Sequence, residues 1–128
     1  MNPKKIWSNL AVTDLDRTTK FYTALGFQPN GRSADLTSFL FGEDHFVIHF
    51  FLKHILREAM LGVMADTSKS NEIIFTLAAS STEEADRWAT EVEDAGGTLI
   101  SKPAAFGKGY YGFVFADPDG HRFNVFHM

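Results

Sequence analysis

Three polar side chains stand inside or at the start of apolar runs of this sequence, and their types bear on chemistry. His49 lies between Ile48 and Phe50, Glu72 precedes Ile73-Ile74-Phe75, and Asn124 lies between Phe123 and Val125. An imidazole and a carboxylate facing each other in a cavity shift one another's pKa and can bind or deprotonate a polar group. Glu72 is the candidate base, because a carboxylate buried without a partner is expensive and calls for a function. Asn124 either contacts a ligand or hydrogen-bonds a neighbouring strand or water, as buried amides mostly do. Asn9, on the opening strand, poses the same choice. For His49 the alternative to ligand contact is a core imidazole satisfied by Glu72 or by a tyrosine.

Other sequence features have simpler explanations. Gly107–Gly112, "GKGYYG", has the literal spacing of a dinucleotide loop. It leads into a strand instead of opening a helix, so the helix N-terminus that would hold a pyrophosphate is missing. It reads instead as a loop beside a cavity, with Tyr110 and Tyr111 able to close over a ligand. Asp117 and Asp119 resemble paired catalytic carboxylates, but Asp-Pro-Asp-Gly is first a turn, in which Pro fixes φ and Gly permits positive φ. His45, His54, His121 and His127 read as surface or turn residues.

The elements that must position these groups occur twice. Ile6 to Val12 alternates as a strand, with Trp7, Asn9 and Ala11 on one face. Thr13 or Asp14 caps a helix running to about Leu25, and three extended runs follow: 27–32, 36–41 and 46–52. The second half repeats this order. A strand spans 72–79, and "SSTE" offers a capping box from Ser81 to Glu84. Ala85, Trp88, Ala89, Val92 and Ala95 form a helical stripe, and runs at 98–101, 110–116 and 121–127 complete the set. Both halves read βαβββ. The stretch between them contains an apolar helical stripe from Ile55 to Met64, read as packing in preference to a mobile lid.

With 128 residues, 45% of them hydrophobic, the chain is long enough to bury roughly two thirds of its unfolded surface, so a single domain is expected over residues 1–128. It comprises modules 1–62 and 70–128 joined by linker 63–69. The net charge of −4 includes no basic block, which argues against nucleic-acid or anionic-membrane partners. The absence of cysteine excludes disulfides and thiolate chemistry and is compatible with a reducing cytoplasm, the expected location. The apolar stretch near Ile6 is too short for a signal peptide or membrane span.

Asn9–Phe27, "NLAVTDLDRTTKFYTALGF", the paired βαβββ order and the closing "FADPDGHRFNVF" resemble the vicinal oxygen chelate superfamily of glyoxalase I, bleomycin-resistance proteins and extradiol dioxygenases. Within it, the chain is similar to bacterial predicted lactoylglutathione lyases. The resemblance implies an α+β fold of two tandem βαβββ modules, a mixed sheet curled around a cavity, and commonly a homodimer. It also implies metal ligands on the first and last strand of each module, at positions filled here by Trp7, His49, Glu72 and Asn124. Of these only His49 and Glu72 are competent, since an indole has no lone pair to offer and a neutral amide is a poor zinc or nickel ligand. Three protein ligands are the usual minimum for a catalytic divalent ion. The expectation is therefore a site without a resident metal or other cofactor. Its ligand-binding residues would be Trp7, Asn9, His49, Phe51, Glu72, Tyr110, Asn124 and Phe126, and its ligand a small aromatic or hydrophobic molecule. The alternative is a metal-dependent glyoxalase-type lyase.

Overall fold

The computed structural model describes residues 1–128, which divide into two compact units, Met1–Met64 and Ala65–Met128. The first is built from β1 (Ser8–Val12), α1 (Leu15–Ala24), β2 (Gln28–Arg32), β3 (Leu36–Phe41), β4 (Phe46–Leu52) and α2 (Lys53–Met60). Its sheet runs β1-β4-β3-β2, with β1 parallel to β4 and the other pairs antiparallel. Asp14 caps α1 by accepting the Arg17 N–H at 3.0 Å, which satisfies one orphan donor of the first turn. The buried stripe Leu15, Thr18, Phe21 and Tyr22 follows helical spacing. Tyr22 stacks on Phe50 at 4.5 Å and meets Phe39 and Phe41 at 5.7 Å each. Those three phenylalanines therefore point at α1, and by strand alternation Ser38 and His49 point away from it.

The second unit contains β5 (Ile74–Ala78), α3 (Thr82–Asp94), β6 (Thr98–Leu99), β7 (Ala104–Phe106), β8 (Tyr110–Ala116) and β9 (Arg122–His127). Its sheet runs β5-β9-β8-β6, with β7 also paired to β8 and β5 parallel to β9. The capping box forms in a shifted version. The Glu84 N–H donates to Ser81 Oγ at 3.0 Å, while the Glu84 carboxylate accepts the Ser80 N–H at 2.6 Å. Phe115 and Phe123 stack at 5.2 Å beneath α3, which buries Ala85, Ala89 and Val92.

The structure refines several sequence expectations. β1 and β5 begin at Ser8 and Ile74, leaving Trp7 and Glu72 just ahead of their strands. The run expected at 98–101 stops at Leu99, because the Ile100 and Ser101 N–H groups both donate to the Val114 carbonyl. The ladder resumes at Ala104 as β7, an element the sequence reading omits. Residues assigned to a linker are partly docked. Thr67 donates its hydroxyl to the Asp119 carbonyl at 2.6 Å, and a Cβ at Gly120 (φ +95°) would lie 2.3 Å from the Thr67 carbonyl oxygen. His121, expected at the surface or in a turn, closes the Asp117–Gly120 turn and is buried there. Asp117 serves the turn itself, its carboxylate accepting the Asp119 and His121 N–H groups at 3.0 and 2.9 Å.

Candidate functional site

In the first unit the sheet face turned away from α1 carries a short polar chain between rings. β4 places His49 directly across from Asn9 on β1 and Ser38 on β3. Ser38 Oγ lies 2.8 Å from His49 Nδ1 and accepts from Asn30 Nδ2 of β2 at 3.0 Å. Ser38 is fully buried, His49 is half-buried, and Asn9 and Asn30 are exposed. Phe51, two residues along the same strand face, meets the imidazole edge-on at 6.0 Å, and Trp7 does so at 6.4 Å. Trp7 is itself 50% exposed, a large ring left open to a ligand. Burial, and then the Lys5 ammonium, hold the His49 pKa below its ordinary value, so the ring is neutral at neutral pH.

In the second unit the face turned away from α3 carries a different set. β9 places Asn124 between Thr76 of β5 and Val114 of β8. The Asn124 Oδ1 is buried and has no hydrogen-bond partner in the protein. Phe126, on the same strand face, packs at 5.1 Å from Tyr110 and 6.1 Å from Phe106, and Phe106 meets Tyr110 at 5.7 Å. Gly112 makes this surface possible, since a Cβ there would stand 1.9 Å from the Val125 carbonyl oxygen on the neighbouring strand. Tyr111 belongs to the opposite face, donating its hydroxyl to the Asp86 carboxylate of α3 at 2.5 Å. That bond raises the phenol pKa, and only Tyr110 of the pair is free to meet a ligand.

The structure thus brings Trp7, Asn9, His49 and Phe51 together in one unit, and Tyr110, Asn124 and Phe126 in the other. Glu72 does not have the burial expected of it, because it lies exposed at the bend before β5. Three participants were missed: Asn30, Ser38 and Phe106. Ser38 was within reach of the sequence, since pairing Phe41 with Phe46 across the "GEDH" turn and counting outward sets Ser38 against His49. A separate surface depression of about 480 Å³, lined by Glu93 and residues 97–102, contains none of these groups.

The same geometry tests the fit of a divalent metal. No three His, Asp or Glu side chains converge within either unit. Trp7 has no lone pair for a metal, and Asn124 offers only a neutral oxygen. His49, with Nδ1 engaged by Ser38, could offer a metal only Nε2, a single ligand. These residues do not fit a catalytic divalent ion.

Residues 7–125 match the family model described as Glyoxalase/Bleomycin resistance protein/Dioxygenase superfamily. The chain belongs to this superfamily. Its fold agrees with several solved structures. A hypothetical protein from S. aureus is 27% identical, with a TM-score of 0.88 over 100% of this chain and 96% of that one. A glyoxalase-related enzyme from Fulvimarina pelagi is 22% identical, with a TM-score of 0.85 and coverage of 98% and 89%. A lactoylglutathione lyase from Agrobacterium tumefaciens is 21% identical, with a TM-score of 0.70 and coverage of 99% and 96%. No curated protein matches the chain. Membership confirms the fold class read from the sequence: three helices accompany a sheet of four strands and one of five, neither sheet closed. No helix is long and apolar enough to cross a membrane.

Proposed function

We propose that this superfamily member binds a small planar or hydrophobic molecule on aromatic sheet faces, without a catalytic metal, in the manner of a bleomycin-resistance-like binding protein. The observation that carries this reading is the buried, partnerless Asn124 Oδ1 on the same strand face as Phe126, whose ring packs against Phe106 and Tyr110. A desolvated amide oxygen without a donor costs about 1–3 kcal/mol, and a ligand N–H or O–H stacked on those rings would relieve it. The homodimer common in the family is part of the proposal, and light scattering at micromolar concentration checks it.

A screen of planar aromatic compounds, bleomycin-like drugs included, tests the reading by thermal shift and by Trp7 fluorescence in a Trp88→Phe background. Trp7→Ala or Tyr110→Ala should weaken a hit by about 1–3 kcal/mol, roughly five- to two-hundred-fold. Hits that bind both variants as well as wild type would remove the assigned residues from the site.

The second reading, a metal-dependent lyase with Glu72 as base, is favoured by the fold likeness to the Agrobacterium tumefaciens lyase. The exposure of Glu72 and the donor set weigh against it. Stoichiometric nickel or zinc retained after dialysis, together with hemithioacetal turnover lost in Glu72→Gln, would establish the lyase instead.

A further inference from the structure

The first unit's polar chain fixes more than the position of His49. The buried Ser38 hydroxyl has one proton to give and two neighbours within bonding distance. In the assigned orientation of its amide, Asn30 turns Nδ2, a donor, toward Ser38, and in that orientation it does not take the proton. His49 Nδ1, at 2.8 Å, is the remaining acceptor. A neutral imidazole that accepts at Nδ1 carries its own proton on Nε2. The Nε2 atom has no protein partner and lies on a ring flanked edge-on by Trp7 and Phe51.

We propose that Ser38, itself oriented by Asn30, locks His49 as a neutral Nε2–H donor, so that this face selects a ligand oxygen accepting a hydrogen bond, a carboxylate or carbonyl borne on a planar ring. The position that the family uses for a metal ligand is thereby converted into a hydrogen-bond donor. Donation of an Nδ1 proton to Ser38 would free Nε2 for a metal, but it would leave the buried Ser38 proton without an acceptor. The Lys5 ammonium, close enough to influence the imidazole, adds a positive potential suited to an anionic oxygen. Ser38 and Asn30 act here as positioning residues.

The ligand class rests on the proposed binding function; the tautomer does not, and the two are measured separately. Imidazole nitrogen NMR on the unliganded protein should show Nε2 protonated and Nδ1 unprotonated. Asn30→Asp, at an exposed position, replaces the donor to Ser38 with an acceptor. The Ser38 proton should then turn to the new carboxylate, and His49 should switch to the Nδ1–H form. An Nδ1–H ring in wild type, or a tautomer unmoved by Asn30→Asp, overturns the proposal.

For the ligand class, naphthoate is compared with naphthylmethylammonium by calorimetry in wild type and in His49→Phe. Wild type should favour naphthoate, and His49→Phe should reduce that preference about tenfold. A preference unchanged in His49→Phe belongs to Lys5 and overturns the assignment of the oxygen to His49. If neither compound binds while the Nε2–H form is observed, the binding reading fails and the Ser38-fixed donor stands.

Discussion

The two units use one architecture in opposite ways. In the first, the polar groups on the face turned away from the helix satisfy each other: Asn30 donates to Ser38, and Ser38 engages His49. In the second, the corresponding polar residue, Asn124, is left with a buried oxygen and no partner. A satisfied chain that ends in a free ring nitrogen presents a rigid donor. An orphaned carbonyl presents an acceptor whose desolvation has already been borne by folding. The same βαβ framework with neighbouring antiparallel strands thus carries a satisfied polar chain in one unit and an unsatisfied oxygen in the other, and the difference comes from single residues on the strands, not from topology.

The largest expected effect sharpens the backbone side of this comparison. Gly112→Ala should destabilise the second unit by more than about 4 kcal/mol, since the new Cβ would meet a neighbouring strand's carbonyl oxygen that cannot move without breaking the ladder. Denaturant unfolding should then show loss of that unit ahead of the first. Next, Tyr22→Ala should cost about 3–5 kcal/mol in the first unit, where the ring is fully buried against Phe39, Phe41 and Phe50.

The comparison itself is tested by a pair of opposite sign. Ser38→Ala leaves His49 Nδ1 without its partner and should destabilise by about 1–2 kcal/mol. Asn124→Leu removes an orphaned oxygen at similar volume and should be neutral or stabilising by up to about 1–2 kcal/mol, while weakening any ligand that donates to it. Equal losses of stability in both variants would erase the distinction between a satisfied and an unsatisfied face.

The smallest effect is the pH dependence due to His49. Its folded pKa is lowered from 6.5 by burial and then by Lys5, so the unfolded chain binds the proton more readily. The stability contribution is complete above the ordinary histidine value, declines as pH falls below it, and levels off once the pH has passed below the folded value. His49→Phe should flatten that part of a stability–pH curve, and an unchanged slope would assign it to another group.

Much of this was legible in the sequence because local chemistry dictated it. The Asp14 and Ser81 caps, the alternation of 36–41 and 46–52, and the Asp117–Gly120 turn are each set by a few neighbouring residues. What escaped depends on long-range packing. Whether Glu72 is buried, whether His121 is covered, and where the β6 ladder breaks are decided by segments far away in the chain. Phe106 was missed for the same reason, as its role exists only once Tyr110 and Phe126 stand beside it. Tyr111 was misread because adjacent strand residues face opposite sides, so a pair of tyrosines cannot act as one lid.

The docking of Thr67 against the Asp117–Gly120 turn has a kinetic consequence. This hydrogen bond joins groups 52 positions apart, and β5 likewise waits for β9 as its parallel partner. β1 waits for β4 in the same way, but the second unit must in addition hold the Thr67 segment until the Asp117–Gly120 turn forms. Loop closure of that span comes before any reward from contacts, which slows folding and leaves the edge of β5, with Ile73 and Ile74 exposed, open to other chains in the interval. The Thr67 latch is the long-range contact peculiar to the second unit, and weakening it should prolong the exposure of β5 during synthesis even where the finished fold is unchanged.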